Sequence, residues 1–69
     1  MTYDLIKRIC EAEIQNGKDF PLFGKNSDGC NVVIDKLEDY YAIETFQKNG
    51  WIRVEIYHKD GTVEEKYER

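Results

Sequence analysis

Side chains able to do acid-base chemistry are abundant, because the chain of 69 residues contains 14 Asp and Glu residues and one His. General acid-base catalysis needs a carboxyl group whose pKa is shifted by an apolar pocket or by a neighbouring charge. Here the carboxylates are spread along the chain, and in the predicted strands most alternate with basic residues. We therefore expect solvated surface charges and predict no catalytic site, so that the protein is not an enzyme.

His58, Cys10 and Cys30 are the side chains that could ligate a transition metal or form a nucleophilic dyad. None of them has a second His or Cys nearby in the sequence, whereas structural zinc sites use closely spaced ligands. Neither cysteine belongs to a C-x-x-C motif, and small secreted scaffolds usually carry about four cysteines or more. We expect reduced, partly buried thiols, a cytoplasmic location, and neither a metal nor a cofactor.

Gly24 and Gly29 have the glycine spacing of a phosphate-binding loop. Cys30 and Asn31 stand where that loop needs Lys and then Ser or Thr, and no strand is predicted before it. The segment 26–29 is also similar to part of a calcium loop but lacks the bidentate Glu at the end. Both features indicate turn formation rather than ligand binding.

The formal net charge is −4, from 10 Lys and Arg against 14 Asp and Glu. This charge disfavours nonspecific binding to nucleic acid or anionic lipid, because such binding needs cations that displace counterions. The longest apolar run, residues 40–43, is far too short to cross a membrane, and the first residues lack the pattern of a signal peptide. We expect a protein with a basic or amphipathic surface as the partner.

Residues 3–16 are predicted to form a helix with Thr2 as its N-cap and Gly17 at its C-terminal stop. At 100° per residue the apolar side chains form one stripe. The stripe consists of Tyr3, Ile6, Cys10 and Ile14, flanked by Leu5 and Ile9. The helix is therefore amphipathic and should lie on another element.

After an irregular loop at 17–30, the hydrophobic period changes to two, which is typical of strands. Strands are expected at about 31–37, 40–46, 51–58 and 62–68, with the hairpin signals Asn-Gly and Asp-Gly between the last three. We predict one α+β domain over residues 1–69: an N-terminal helix packed on a four-stranded antiparallel β-meander in two layers.

Charge pairing predicts the strand register. A two-residue turn at 60–61 would set Arg53 opposite Glu68, and a four-residue loop at 47–50 would set Glu44 opposite Arg53 without facing like charges. In this register one face of the sheet is buried under the helix. That face is expected to carry Val32, Ile34, Tyr41, Ile43, Thr45, Ile52, Val54 and Ile56.

The same register places two aromatic pairs on the other face, Tyr40 with Tyr57 and Phe46 with Trp51. Trp, Tyr and Arg often anchor interfaces, although cross-strand pairs also stabilise small sheets without a partner. The residues predicted to bind a protein are Leu37, Glu38, Asp39, Tyr40, Glu44, Phe46, Trp51, Arg53 and Tyr57.

These features favour a small acidic, non-catalytic protein-interaction module. Its size and charge are typical of inhibitors or adaptors of phages and mobile elements, which bind a basic protein surface, here through the face without a helix. Two alternatives remain. One is a structural homodimer subunit without a ligand. The other is a single-stranded nucleic-acid binder that stacks bases on the sheet aromatics, which the net charge disfavours.

Overall fold

The structure is a computed structural model that describes residues 1–69, and it contains one helix and one sheet. All strand pairs are antiparallel, and the sheet order is β1-β2-β3-β4-β5. The elements are α1 (Tyr3–Gln15), β1 (Leu22–Lys25), β2 (Asn31–Lys36), β3 (Tyr40–Phe46), β4 (Ile52–His58) and β5 (Val63–Glu68). The α+β class with an antiparallel sheet is confirmed, but the predicted number of four strands is wrong.

Strand β1 lies inside the segment that was expected to be irregular. Pro21 and Gly24 lower the strand propensity of this short stretch, so it carries no period-two signal. It nevertheless pairs with β2, Leu22 facing Ile34 and Phe23 facing Val33. A neighbouring strand that offers free hydrogen-bonding groups therefore decides its conformation.

Helix α1 begins as expected, since the Thr2 hydroxyl accepts a hydrogen bond from the Leu5 N–H at 3.2 Å. It ends at Gln15, and Gly17 follows with a φ of 89°. Ile6 and Cys10 are each only 1% exposed and face the sheet core. With 13 residues, the one helix is too short and too polar to cross a membrane.

One face of the sheet, which we call the inner face, contributes side chains to the same buried core cluster as α1. The rings of Tyr3 and Tyr41 lie 5.1 Å apart between their centroids, which joins the start of the helix to the central strand. The core side chains are Ile6, Cys10, Leu22, Tyr41, Ile43 and Tyr57, with Tyr3, Phe20, Val32 and Ile34 packed against them. The predicted inner positions on β2 and β3 are confirmed.

Both connections that follow β3 and β4 are three-residue loops. The Gln47 N–H donates to the Trp51 carbonyl at 3.0 Å, and the His58 N–H donates to the Thr62 carbonyl at 2.9 Å. A two-residue type I′ turn needs two residues with positive φ. Only the glycines have one, Gly50 at 91° and Gly61 at 95°. The predicted loop lengths of four and two residues are therefore wrong.

The loop lengths shift the register by one residue on both sides of β4. Phe46 pairs with Ile52 rather than Trp51, and Arg53 pairs with Tyr67 rather than Glu68. Because side chains alternate between faces, each one-residue shift moves a whole set of side chains to the opposite face. Ile52, Val54 and Ile56 consequently lie on the face away from α1, and the prediction that they line the helix side is wrong.

Candidate functional site

The face of the sheet away from α1, which we call the outer face, has no element of the chain lying across it. Strand pairing and side-chain alternation define its members. They are Phe23, Lys25, Asn31, Val33, Asp35, Tyr40, Ala42, Glu44, Phe46, Ile52, Val54, Ile56, His58, Glu64, Lys66 and Glu68. This face is a surface that the chain itself leaves uncovered.

The nine residues predicted to form one binding surface are divided between three places. Tyr40, Glu44 and Phe46 lie on the outer face, as expected. By the alternation of side chains, the inner face instead carries Trp51, Arg53 and Tyr57. The predicted pairs of Tyr40 with Tyr57 and of Phe46 with Trp51 therefore do not form. The remaining three, Leu37, Glu38 and Asp39, belong to the turn in which the Leu37 N–H donates to the Tyr40 carbonyl at 2.9 Å.

The middle of the outer face is apolar. Val54 is only 7% exposed although no helix covers it, since its neighbours on the adjacent strands shield it. Away from Val54 the exposure rises, to 40% for Phe46 and to 74% for Phe23 on the edge strand β1. The apolar centre consists of Val33, Ala42, Phe46, Ile52, Val54 and Ile56. Contiguous apolar side chains of this kind on a protein surface are typical of interaction sites.

One carboxylate stands within this apolar centre. Glu44 is half-buried on the central strand β3 and faces Val33 on one side and Val54 on the other. Its same-face neighbours along β3 are Ala42 and Phe46. All four nearest positions on the face are therefore apolar. The four ion pairs of the protein lie elsewhere, between Lys18 and Glu13, Arg53 and Glu55, His58 and Glu64, and Lys66 and Glu68.

Charged side chains surround the apolar centre. The Lys66 ammonium lies 3.2 Å from a carboxylate oxygen of Glu68, and His58 contacts the carboxylate of Glu64. Counting Lys25 and Lys66 against Asp35, Glu44, Glu64 and Glu68 gives the outer face a formal charge of 2 − 4 = −2 with His58 neutral. The outer face is thus acidic as well as apolar.

The inner side of β4 and β5 carries a polar network. One oxygen of the Glu55 carboxylate accepts from the Arg53 guanidinium at 3.0 Å, and the other accepts from the Tyr57 hydroxyl at 2.7 Å. Burial of Tyr57 and this hydrogen bond raise its pKa to about 12. On β5 the Tyr67 hydroxyl donates to Glu65 at 2.8 Å. Each of these carboxylates has a hydrogen-bond donor, which explains how charged residues are tolerated beside the core.

The two cysteines are free thiols. Cys10 is buried, and desolvation raises the pKa of its thiol, with the negative charge of Glu13 adding to the shift. No group of three or more His, Cys, Asp or Glu side chains in the chain is arranged to hold a metal ion. Gly24 and Gly29, with their phosphate-loop spacing, belong to β1 and to the β1–β2 turn.

Sequence reasoning missed Ile52, Val54 and Ile56 as members of the outer face. The available signal was the repetition of one turn pattern, Asp or Asn followed by Gly, at 28–29, 49–50 and 60–61. All three form the same three-residue loop, closed by an N–H to carbonyl bond of 2.9 to 3.0 Å. A three-residue loop with a left-handed glycine is a common hairpin connection. Assigning this three-residue loop to all three hairpins would have given the observed register.

A comparison of the chain with protein-family models finds no matching family, and searches of the curated proteins and of the solved structures return no match.

Proposed function

We propose that this protein is a small, non-catalytic protein-interaction module whose outer face binds a protein surface with an apolar centre and basic character. The observation that carries the proposal is the placement of Ile52, Val54 and Ile56 on the face that no element of the chain covers. An inhibitor or adaptor, which acts by occupying another protein's surface, is the class of activity that needs no reactive centre.

The arrangement of the outer face supports a protein partner. Interfaces commonly have an apolar centre with a polar, charged rim. The outer face has this order, with Val54 at its centre and Asp35, Glu64 and Lys66 around it. The sheet itself is a rigid platform, because β2, β3 and β4 are paired on both edges.

Charge supports a basic rather than an acidic partner. The outer face has a formal charge of −2 and the whole chain one of −4. Complementary charge speeds encounter and suppresses binding of partners with the same sign. A partner with Lys and Arg around an apolar patch therefore fits this face best.

The alternative function, stacking of bases on the sheet aromatics, is not supported by the arrangement of these side chains. It requires Tyr40, Phe46, Trp51 and Tyr57 on one face, whereas the last two follow the opposite face. Tyr57 is also only 6% exposed, so its ring is not available to a base.

The test compares a variant of the outer face with a matched variant of the inner face. Phe46→Thr combined with Ile56→Thr removes apolar area from the outer face and introduces threonine, a β-branched residue that strands favour. Trp51→Thr removes an aromatic side chain from the inner side and serves as the control. Each protein is immobilised, incubated with nuclease-treated lysate of the cells that encode it, and checked for folding by circular dichroism.

We expect one specific protein to bind the wild type and Trp51→Thr and to be lost with the double variant. Equal capture by all three would contradict the assignment of the binding face. Sedimentation of the wild type over a range of concentrations tests the homodimer alternative. A dimer that the double variant dissociates would show that the outer face binds a second copy.

A further inference from the structure

We infer that Glu44 determines which partner the outer face accepts: the bound surface must place one Lys or Arg side chain against the Glu44 carboxylate, within an otherwise apolar contact. This inference rests on the proposed function, since it names the chemistry of the partner at the centre of the same face.

The position of Glu44 leads to this requirement. Its four nearest same-face neighbours are apolar, and it lies on the middle strand of five. Water solvates the carboxylate while the face is free. A partner that covers Val33 and Val54 also removes this water, and burying an unpaired charge is strongly unfavourable. A partner without a cation at this place is therefore rejected.

The chain does not supply the cation itself. Lys66 lies in the same row as Glu44 but two strands away, which corresponds to about 10 Å between backbones. Its ammonium group is moreover engaged by Glu68 at 3.2 Å. Lys25 lies on the edge strand β1, in register with Asn31, and Arg53 points to the other face. The positive charge must come from the partner.

A second copy of the chain is disfavoured as the occupant. In a two-fold dimer the same patch contacts itself, so a contact centred on β3 brings the two Glu44 carboxylates together. Like charges directly opposed at a dry contact destabilise it. The same carboxylate that rejects a second copy attracts a basic segment.

The experiment selects peptides from a random display library on the immobilised wild-type protein. Peptides of about 16 residues are long enough for about four helical turns, which is enough to cross the face. We expect the enriched sequences to share one Lys or Arg flanked by apolar residues. Synthetic copies of these peptides should bind Glu44→Gln at least about 30-fold more weakly, the loss typical of removing one partner of a buried charge pair.

Two controls make the result specific to this position. Glu11→Gln makes the same change of charge at an exposed position of α1, away from the outer face, and should leave binding unchanged. Replacing the basic residue of the peptide by Glu should abolish binding to the wild type, and Glu44→Lys should restore it. Urea unfolding of each variant checks that the fold is retained.

The outcomes separate the inference from the proposed function. Peptides that bind the outer face, as shown by their loss with the Phe46→Thr, Ile56→Thr double variant, but bind Glu44→Gln equally well would overturn the inference alone. Enriched peptides without a basic residue would do the same. If no peptide is enriched, or if the peptides bind the double variant as tightly as the wild type, the proposed function fails as well.

Discussion

The two faces of the sheet have similar apolar content, but only the inner face belongs to the buried core cluster. On the inner face Tyr41 and Ile43 belong to the same buried core cluster as Ile6 and Cys10 of α1. On the outer face Val54 is the one residue that reaches comparable burial, and the exposure of Phe46 is 40%. The difference arises because the chain has one helix for two faces. Apolar composition alone therefore does not tell which face of a small sheet is its core.

Truncating one isoleucine on each side of the sheet tests the contrast between the faces most directly. Ile6→Ala removes a side chain that is 1% exposed, and we expect the free energy of unfolding to fall by about 2–5 kcal/mol. Ile56→Ala on the outer face should cost about 1 kcal/mol, because its side chain stays partly solvated and leaves no closed cavity. Urea unfolding followed by circular dichroism measures both. Equal losses would show that the outer face contributes to the core as much as the inner one.

The next prediction tests the three-residue loops, whose length sets the strand register and therefore the face on which each side chain lies. Gly61 has a φ of 95°, and a Cβ added there would meet no atom within 4 Å, so Gly61→Ala suffers from backbone strain alone. We expect a loss of about 1–2 kcal/mol in the free energy of unfolding. Gly24→Ala is the matched control, since Gly24 has the same free space without a positive φ. A loss at Gly24 as large as that at Gly61 would refute the assigned loop geometry.

The helix that distinguishes the inner face can be weakened at its start. Thr2→Ala removes the hydroxyl that accepts from the Leu5 N–H. We expect a loss of about 1 kcal/mol in the free energy of unfolding. Thr2→Ser keeps an acceptor at the same place and should unfold like the wild type. If Thr2→Ser loses as much as Thr2→Ala, the cap does not stabilise the helix.

The polar network of the inner face should make the free energy of unfolding depend on pH in the alkaline range and not near neutral pH. The pKa of Tyr57 is raised from 10.0 to about 12 by burial and by its bond to Glu55. Above pH 10 the unfolded chain releases this proton while the folded protein keeps it, so stability is full below pH 10 and falls as the pH rises towards about 12. Urea unfolding across this range measures the fall. Tyr57→Phe should make it smaller, and an unchanged fall would show that Tyr57 does not cause it.

Much of the fold was predictable because it depends on local signals. The cap at Thr2, the helix stripe and the bounds of β3 follow from capping chemistry and from hydrophobic periods of 3.6 and two residues. The strand β1 was not predictable in this way. Its four residues have no periodic signal of their own, and pairing with β2 gives them their conformation.

The candidate site was predictable only in part, for a reason that lies in two loops. Matching opposite charges favoured Arg53 opposite Glu68, whereas the structure sets Arg53 opposite Tyr67, and its guanidinium donates to Glu55 along the same strand. A surface ion pair contributes little free energy compared with a turn that fits its glycine. Charge therefore did not decide the register. Of the strand residues predicted to bind a protein, the sequence placed three on the correct face: Tyr40, Glu44 and Phe46.

Local propensity, hydrophobic period and composition are enough to specify the α+β class, the single amphipathic helix, the antiparallel β-meander from Asn31 onward and the net charge of −4. They do not specify which way β4 faces. Strand pairing in the folded protein turns Ile52, Val54 and Ile56 away from the helix and surrounds Glu44 with apolar side chains. The cause is the strict alternation of side chains in a strand, which converts a difference of one residue in the length of a loop into a change of face.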